Sequence, residues 1–170
     1  MPIFLRITMQ DQQQRRSLDF RFLAEPTDVN FGGKVHGGVV MKWMDQAGYA
    51  CAAQWSAHYC VTVSIGGIRF IRPILVGQMV TLNAQIVHTG KTSMHIYIRI
   101  VAGDPKQNKM VETGHCIMVF VASDQADYPL EVPSWQPQTK QDFALEKYAI
   151  QAKESAKSLD KELLSALKEE

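Results

Sequence analysis

The chain has 170 residues and a formal net charge of +1; 46% of its residues are hydrophobic and 21% are charged. This length and composition are typical of one ordinary soluble domain, which can bury a core without disulfides or a structural metal. The near-neutral charge argues against nucleic acid or an acidic membrane surface as a partner.

The first half of the chain predicts one strand followed by one long helix. In LDFRFL, residues 18–23, apolar and polar side chains alternate, which is typical of a strand. Residues 25–36 contain proline and glycine and are predicted to form a loop. Residues 37–57 contain no proline and are predicted to form a helix. Its apolar residues at helical spacing are Val40, Met44, Ala47 and Cys51.

The middle of the chain predicts four more strands. The segments are rich in Val, Ile, Thr and aromatic residues; they are residues 60–71, 79–87, 93–101 and 112–122. The connector HTGKT is short enough for a hairpin turn. No helix-length segment separates these strands, so we expect a mainly antiparallel sheet.

The C-terminal part is predicted to lie outside a single domain that covers residues 1–123. Residues 124–140 contain three prolines and are predicted to be an extended connector. Residues 141–170 form a predicted helical extension with five lysines and seven acidic residues, a formal charge of 5 − 7 = −2. This extension is interpreted either as a peripheral amphipathic helix or frayed tail, or as a helix that braces an oligomer or binds a partner.

The sequence favours a cytoplasmic protein. Its three cysteines have no CxxC spacing, which is typical of reduced thiols. The N-terminal sequence MPIFLRITMQDQQQRR has only a brief apolar patch, and its charges follow that patch, unlike a signal peptide. The longest apolar stretch, residues 37–57, contains Lys42, Asp45 and Gln46, which argues against a membrane span.

Several standard catalytic motifs are absent from the sequence. It has no G-x-S-x-G elbow, no P-loop and no G-x-G-x-x-G fingerprint. The five histidines show no H-x-x-x-H and no Cys/His zinc spacing, so we expect no metal site.

The remaining candidate is the glycine-rich loop and the start of the helix after it. Gly37 and Gly38 fall at the predicted helix N-terminus, where unpaired amides suit a phosphate or a carbonyl oxygen that gains negative charge. A tight loop with no ligand explains the glycines equally simply. Asp45, on the edge of the apolar face, is either a solvated partner of Lys42 or a partly buried general base or nucleophile.

The stretch NFGGKVHGGVVMKWMDQAG, residues 30–48, has the pattern N-x-x-G-x-V-H-G-G-x-x-x-x-x-M-D-x-A-G. This pattern resembles hotdog-fold acyl-CoA thioesterases, in the branch of the bacterial YciA-type enzymes and the mammalian brain acyl-CoA hydrolase. TVSIGGIRFIRPILVGQ (62–78) and GKTSMHIYIRI (90–100) are similar to the second strand and central hairpin of that branch. The resemblance runs from about residue 17 to 123.

The resemblance implies an α+β hotdog fold, in which a five-stranded antiparallel sheet wraps a long central helix. A C-terminal helix would be added to it. In the family two such units join edge to edge, with the active sites at their interface. The chain has one unit, so the resemblance implies a homodimer, extended in many relatives to a hexamer that is a trimer of dimers.

The resemblance also implies roles for particular residues. Asn30 would position the thioester or the water, and Asp45 would act as base or nucleophile, with the two contributed by opposite subunits. The amides of Gly37 and Gly38 would form the oxyanion hole, and His36 would order the loop beside the substrate.

Further residues are implied at the coenzyme A portion of the substrate: Arg72, Lys91, Thr92 and Ser93. A structural ion pair is the alternative role for Arg72, and a solvated turn position is the alternative for Lys91. The implied reaction releases a free acid and coenzyme A and needs no cofactor besides the coenzyme A of the substrate. One departure from the family is Gly66, where relatives often have an acidic residue, and this affects the expected pocket shape.

Two other functions are compatible with the same fold. A non-catalytic module that binds acyl-CoA could keep the loop but would not need both Asn30 and Asp45. A hydratase or dehydratase would require a catalytic histidine in a different loop context, which the sequence does not contain.

Overall fold

The structure is a computed structural model that describes residues 15–107 and 109–168. The elements are β1 (Ser17–Leu23), a short 3-10 turn (Pro26–Asp28), α1 (Gly37–Ser56), β2 (Tyr59–Phe70), β3 (Met79–Thr89), β4 (Ser93–Gly103), β5 (Val111–Ser123) and α2 (Lys140–Ala166). The predicted order of five strands and two helices is confirmed. The N-terminal segment interpreted above as lacking a signal peptide lies mostly outside the described residues, at 1–14. The domain boundary at residue 123 stays a prediction.

The five strands form one antiparallel sheet in the order β1-β3-β4-β5-β2. The predicted hairpin joins β3 to β4, and across its turn the amide of Gly90 donates to the carbonyl of Ser93 at 2.8 Å. Because β5 lies between β4 and β2, the strands at the two edges of the sheet are β1 and β2. The strand β2 is irregular, with register shifts on either side of residues 64–66.

The helix α1 packs along one face of this sheet and forms the main core with it. The four apolar residues predicted to share a helix face are all buried. A Cβ atom at Gly48 would lie 2.7 Å from the Phe120 ring, so only glycine lets β5 approach the helix this closely. The helix ends at Ala57, whose left-handed backbone (φ 58°) turns the chain directly into β2.

The helix α2 lies on the opposite face of the sheet. Ala149 is buried against Val87 and Ile117, in a cluster separate from the main core. The helix begins with a capping box between Thr139 and Asp142, and Asp142 also forms a buried ion pair with Arg16. Of the predicted extended connector, residues 124–139 contain neither helix nor strand, and α2 begins at its last residue, Lys140.

Within the described residues, neither helix combines the length and hydrophobicity that crossing a bilayer requires.

Candidate active site

The loop before α1 is held by the side chain and backbone of Asn30. Its Oδ1 atom accepts hydrogen bonds from the amides of Gly32 at 2.9 Å and Lys34 at 3.3 Å. The carbonyl of Asn30 accepts from Gly33, whose left-handed backbone (φ 72°) closes the turn. Asn30 is therefore fixed by its own loop, immediately before the start of the helix.

The start of α1 leaves its first amides without a side-chain cap. His36 occupies the N-cap position, but its side chain makes no capping hydrogen bond. Instead its backbone amide donates to the carbonyl of Asp28 at 2.9 Å, which orders the loop. Gly37 and Gly38 are the first two residues of the helix, and both are exposed. Their uncapped amides carry the partial positive charge of the helix N-terminus.

A cleft of about 310 Å³ opens beside this helix start. Asn30, Gly37 and Arg72 all line it, so the structure brings these three predicted site residues together. Apolar side chains form most of the rest of its wall, among them Phe70 and Ile74, and Lys34 and Thr113 also line it. The cleft therefore combines backbone amides and a guanidinium with an apolar surface.

Asp45 lies on α1 but does not line the cleft. Its Oδ1 atom accepts a hydrogen bond of 2.5 Å from the Oγ1 atom of Thr62 on β2. The side chain is partly buried, and its partner is this threonine rather than Lys42. Eight residues separate Gly37 from Asp45, a rise of about 12 Å along the helix.

Thr62 was missed by the sequence analysis, although a simple length argument finds it. The chain reverses at Ala57, between α1 and β2. Asp45 lies twelve helical residues before that turn, about 18 Å away, and Thr62 lies five strand residues after it, about 17 Å away. The two residues therefore lie at similar distances from the turn, so their side chains can meet.

The predicted Lys91–Ser93 turn lies at the other end of the molecule from the cleft. Ser93 pairs with Val121 in the sheet, whereas Phe70, beside Arg72, pairs with Gly114. Lys91 is exposed and forms an ion pair with Glu131 at 3.1 Å, and the Thr92 carbonyl accepts from Ala122. One chain alone does not bring this turn to Asn30.

Gly66 also lies away from the cleft. A Cβ atom at this position would be 3.8 Å from the Cβ of Ala152, so Gly66 faces α2 on the outer side of the sheet. The departure from the family pattern at this residue therefore concerns the packing of α2 rather than the wall of the cleft.

Two histidines lie together under α2, the buried His95 and the partly buried His88, and the sequence gave no reason to expect this pair. His95 on β4 is 1% exposed, and its ring lies 5.1 Å from that of His88 on β3. Neither ring nitrogen of His95 has a hydrogen-bond partner in the described part of the chain. Burial lowers the pKa of His95 to about 4, and the neighbouring His88 and Lys153 contribute to the shift.

Among residues 15–107 and 109–168, no three His, Cys, Asp or Glu side chains come together as metal ligands would.

The fold agrees with comparisons to known proteins. The model of the thioesterase superfamily matches residues 32–109. Protein VdlD of Helicobacter pylori is 31% identical over 144 residues, which cover 85% of this chain and 82% of VdlD. The acyl-CoA thioester hydrolase YciA of Salmonella typhimurium is 33% identical over 131 residues, 75% of this chain and 98% of YciA. A crystal structure of an apo-hexameric acyl-CoA thioesterase superposes with a TM-score of 0.82 at 28% identity, covering 86% of this chain and 94% of that one.

A long helix wrapped by a five-stranded antiparallel sheet, with a cleft at the helix start, defines a hotdog-fold protein. The chain belongs to the thioesterase superfamily, among the acyl-CoA thioester hydrolases related to YciA.

Proposed function

We propose that this chain hydrolyses acyl-CoA thioesters to a free acid and coenzyme A, with Asp45 driving the attack of water on the thioester carbonyl. The observation that carries the proposal is the cleft in which Asn30 and the start of α1 meet. Coenzyme A enters as part of the substrate, and the reaction needs no other cofactor.

The amides of Gly37 and Gly38 are proposed to form the oxyanion hole. The thioester carbonyl oxygen gains negative charge when water attacks, and uncapped amides at a helix N-terminus stabilise that charge. The absence of a capping bond from His36 supports this role, because the first-turn amides stay available for a ligand.

Asp45 is proposed as the general base. One oxygen of its carboxylate, Oδ1, accepts from Thr62, which orients the group and leaves Oδ2 for a water molecule. Asp45 takes a proton as the water oxygen bonds to the thioester carbon. When the carbon–sulfur bond breaks, the thiolate leaves with the electron pair and is protonated. Thr62 is a positioning residue in this scheme.

The active site is proposed to need two copies of the chain. A carbonyl bound at Gly37 would be about 12 Å from the Asp45 of the same helix, too far for a water molecule to bridge. The free edge strand β2 carries exposed Val63, Ile65 and Phe70, an apolar surface suited to pairing with a second copy. Asn30 and the helix amides would come from one subunit, and Asp45 from the other.

The same pairing suggests how the substrate's coenzyme A portion is held. A two-fold axis makes paired β2 strands antiparallel, so the partner's Tyr59 end lies beside this chain's Phe70 end. The turn at Lys91–Ser93 lies at the Tyr59 end of the sheet. We propose that Arg72 of one subunit and Lys91, Thr92 and Ser93 of the other contact the coenzyme A. The phosphate groups of coenzyme A would be attracted to the positive charges of Arg72 and Lys91.

The dimers are further proposed to assemble as a trimer of dimers. This proposal is supported by the crystal structure of the apo-hexameric acyl-CoA thioesterase, whose sequence is 28% identical to this chain.

The experiment is thiol release from a panel of acyl-CoAs, from short to long chains. Asp45→Asn keeps the shape of the side chain and its bond to Thr62 but removes the base, so kcat is expected to fall by about 100-fold or more. Asp19→Asn is the matched control, because Asp19 is also a carboxylate that accepts from a neutral side chain, Asn83, but it lies at an exposed position on β1. The control is expected to keep native kcat.

Native turnover in a folded Asp45→Asn variant would overturn the role of Asp45. Saturable binding of acyl-CoA without thiol release by the native protein would overturn hydrolysis and favour a ligand-binding module.

A further inference from the structure

The helix α2 crosses the outer face of the sheet from one edge to the other. Its first turn is held near β1 and β3 by the ion pair between Asp142 and Arg16. One turn later, the Oε1 atom of Glu146 lies 3.0 Å from the Nδ1 atom of His88 on β3, within hydrogen-bond distance. Ala149 is then buried against Ile117 of β5. The helix therefore runs toward β2, the free edge strand.

The helix α2 passes close over β2 at Gly66 and Gly67. A Cβ atom at Gly67 would lie 2.2 Å from the hydroxyl oxygen of Tyr148, and Gly67 has a left-handed backbone (φ 57°). The Cβ of Ala152 lies 3.8 Å from the position of a Cβ at Gly66. Farther along the helix, Ala156 shares a small cavity with Ser64 and Ile65 of β2. The helix thus reaches the edge of the sheet at about Ala156.

The helix continues past that edge. Residues 157–166 add about 15 Å of helix beyond β2. We call residues 157–167 the overhang. Its leucines are 58% to 65% exposed; they are Leu159, Leu163, Leu164 and Leu167. Three of them recur at intervals of four residues and share one helix face. An apolar helix face that is exposed to water indicates a contact with another molecule.

The charges of the overhang argue against a membrane or a strongly charged partner. Residues 157–166 contain two lysines and two acidic residues, so the formal charge is 2 − 2 = 0. A membrane-surface helix would carry a basic polar face. A neutral surface with both signs is compatible with self-association.

The direction of the overhang identifies its partner. It projects across the β2 edge, the same edge that carries the exposed apolar residues Val63 and Ile65. Any chain joined at that edge continues the sheet under the overhang. By two-fold symmetry the partner's overhang lies over this chain in the same way.

We propose that the overhang is an inter-subunit brace that packs its leucine face on a second copy of this chain joined at the β2 edge. This inference rests on the β2-edge dimer of the proposed function. It assigns the last turns of α2 to the dimer contact rather than to the fold of one chain.

The test compares two matched double variants of the full chain. Leu159→Lys/Leu163→Lys places two charges on the leucine face of the overhang. Gln151→Lys/Ser155→Lys places the same charges at the same spacing on α2, at exposed positions before the overhang. Sedimentation equilibrium gives the dimer Kd, and circular dichroism confirms that both variants keep native helix content.

The leucine variant is expected to raise the dimer Kd by about tenfold or more, and the control by less than about twofold. Hydrogen exchange of the native protein is expected to show protection of residues 157–166 that is lost on dilution together with the dimer. A native dimer Kd in the leucine variant would overturn the proposal. The proposal would also be overturned if the leucine variant formed a native dimer but no longer formed larger assemblies. The overhang would then connect one dimer to another rather than the two subunits of one dimer.

Thiol release separates this inference from the proposed function. At protein concentrations above the dimer Kd, the leucine variant is expected to turn over at the native rate, because the cleft lies at the start of α1, on the opposite face of the sheet from α2. A native protein that never releases thiol would count against the proposed function, whereas the mass measurements would still decide the role of the overhang.

Discussion

The buried His95 should make the protein less stable in mild acid. Its ring is 1% exposed, its nitrogens have no hydrogen-bond partner among the described residues, and its pKa is lowered from 6.5 to about 4. Below pH 6.5 the unfolded chain therefore binds a proton at His95 that the folded chain does not bind until about pH 4. The contribution of His95 to stability is complete above its unfolded pKa and is lost as the pH falls toward the folded pKa.

The magnitude follows from these two pKa values. Between about pH 7.5 and about pH 5 the loss amounts to about 2 kcal/mol of the free energy of unfolding. The charged and titratable groups beside His95 include His88 on β3 and Lys153 on α2, and Glu146 on α2 contacts His88. Protonation of His95 would place a positive charge beside Lys153, which reinforces the cost.

The assay is urea unfolding of the native protein and His95→Leu at both pH values and at one fixed protein concentration. Leucine suits the apolar surroundings of the ring and cannot titrate, so the free energy of unfolding of the variant should fall by about 2 kcal/mol less over this pH range. Titrating groups away from His95 act equally on both proteins and cancel in the comparison. His58→Gln, at an exposed position, is the control and should keep the native pH dependence. Parallel pH dependences for native protein and His95→Leu would refute the reasoning.

Two more outcomes follow from buried polar groups. Asp142→Ala should lower the free energy of unfolding by about 3 kcal/mol or more, because it leaves the buried Arg16 guanidinium without its carboxylate; a shift of less than about 1 kcal/mol in urea unfolding would contradict this. Burial raises the pKa of the Cys51 thiol to about 12, so alkylation by iodoacetamide at neutral pH should require unfolding; peptide mapping that finds rapid modification of Cys51 in the folded protein would contradict this.

Local sequence patterns predicted most of the fold. Alternation of apolar residues found the strands, and the spacing of Val40, Met44, Ala47 and Cys51 found the buried face of α1, because each pattern reports a repeat within one element. The glycines at 37 and 38 also marked the start of the helix correctly. The family motif then indicated which strands wrap the helix.

Contacts between distant elements were not accessible in the same way. The bond between Thr62 and Asp45 depends on the lengths of a helix and a strand on either side of one turn. The pair of His88 and His95 depends on the register of a hairpin and on the helix that covers it. The docking of α2 depends on Arg16, 126 positions away from Asp142. No local repeat encodes such pairings.

The strand order has a consequence for how the chain emerges from the ribosome. Within the described part of the chain, the strand β2 pairs only with β5, so after Phe70 has been made it has no strand to pair with until synthesis reaches Val111. At ordinary translation speeds this delay lasts about 2–8 s. During that time β1, β3 and β4 can already pair, while the strand with the most exposed apolar residues has both edges open. The nascent chain is therefore most exposed to aggregation before β5 is complete, and chaperones that act on it would act in this interval.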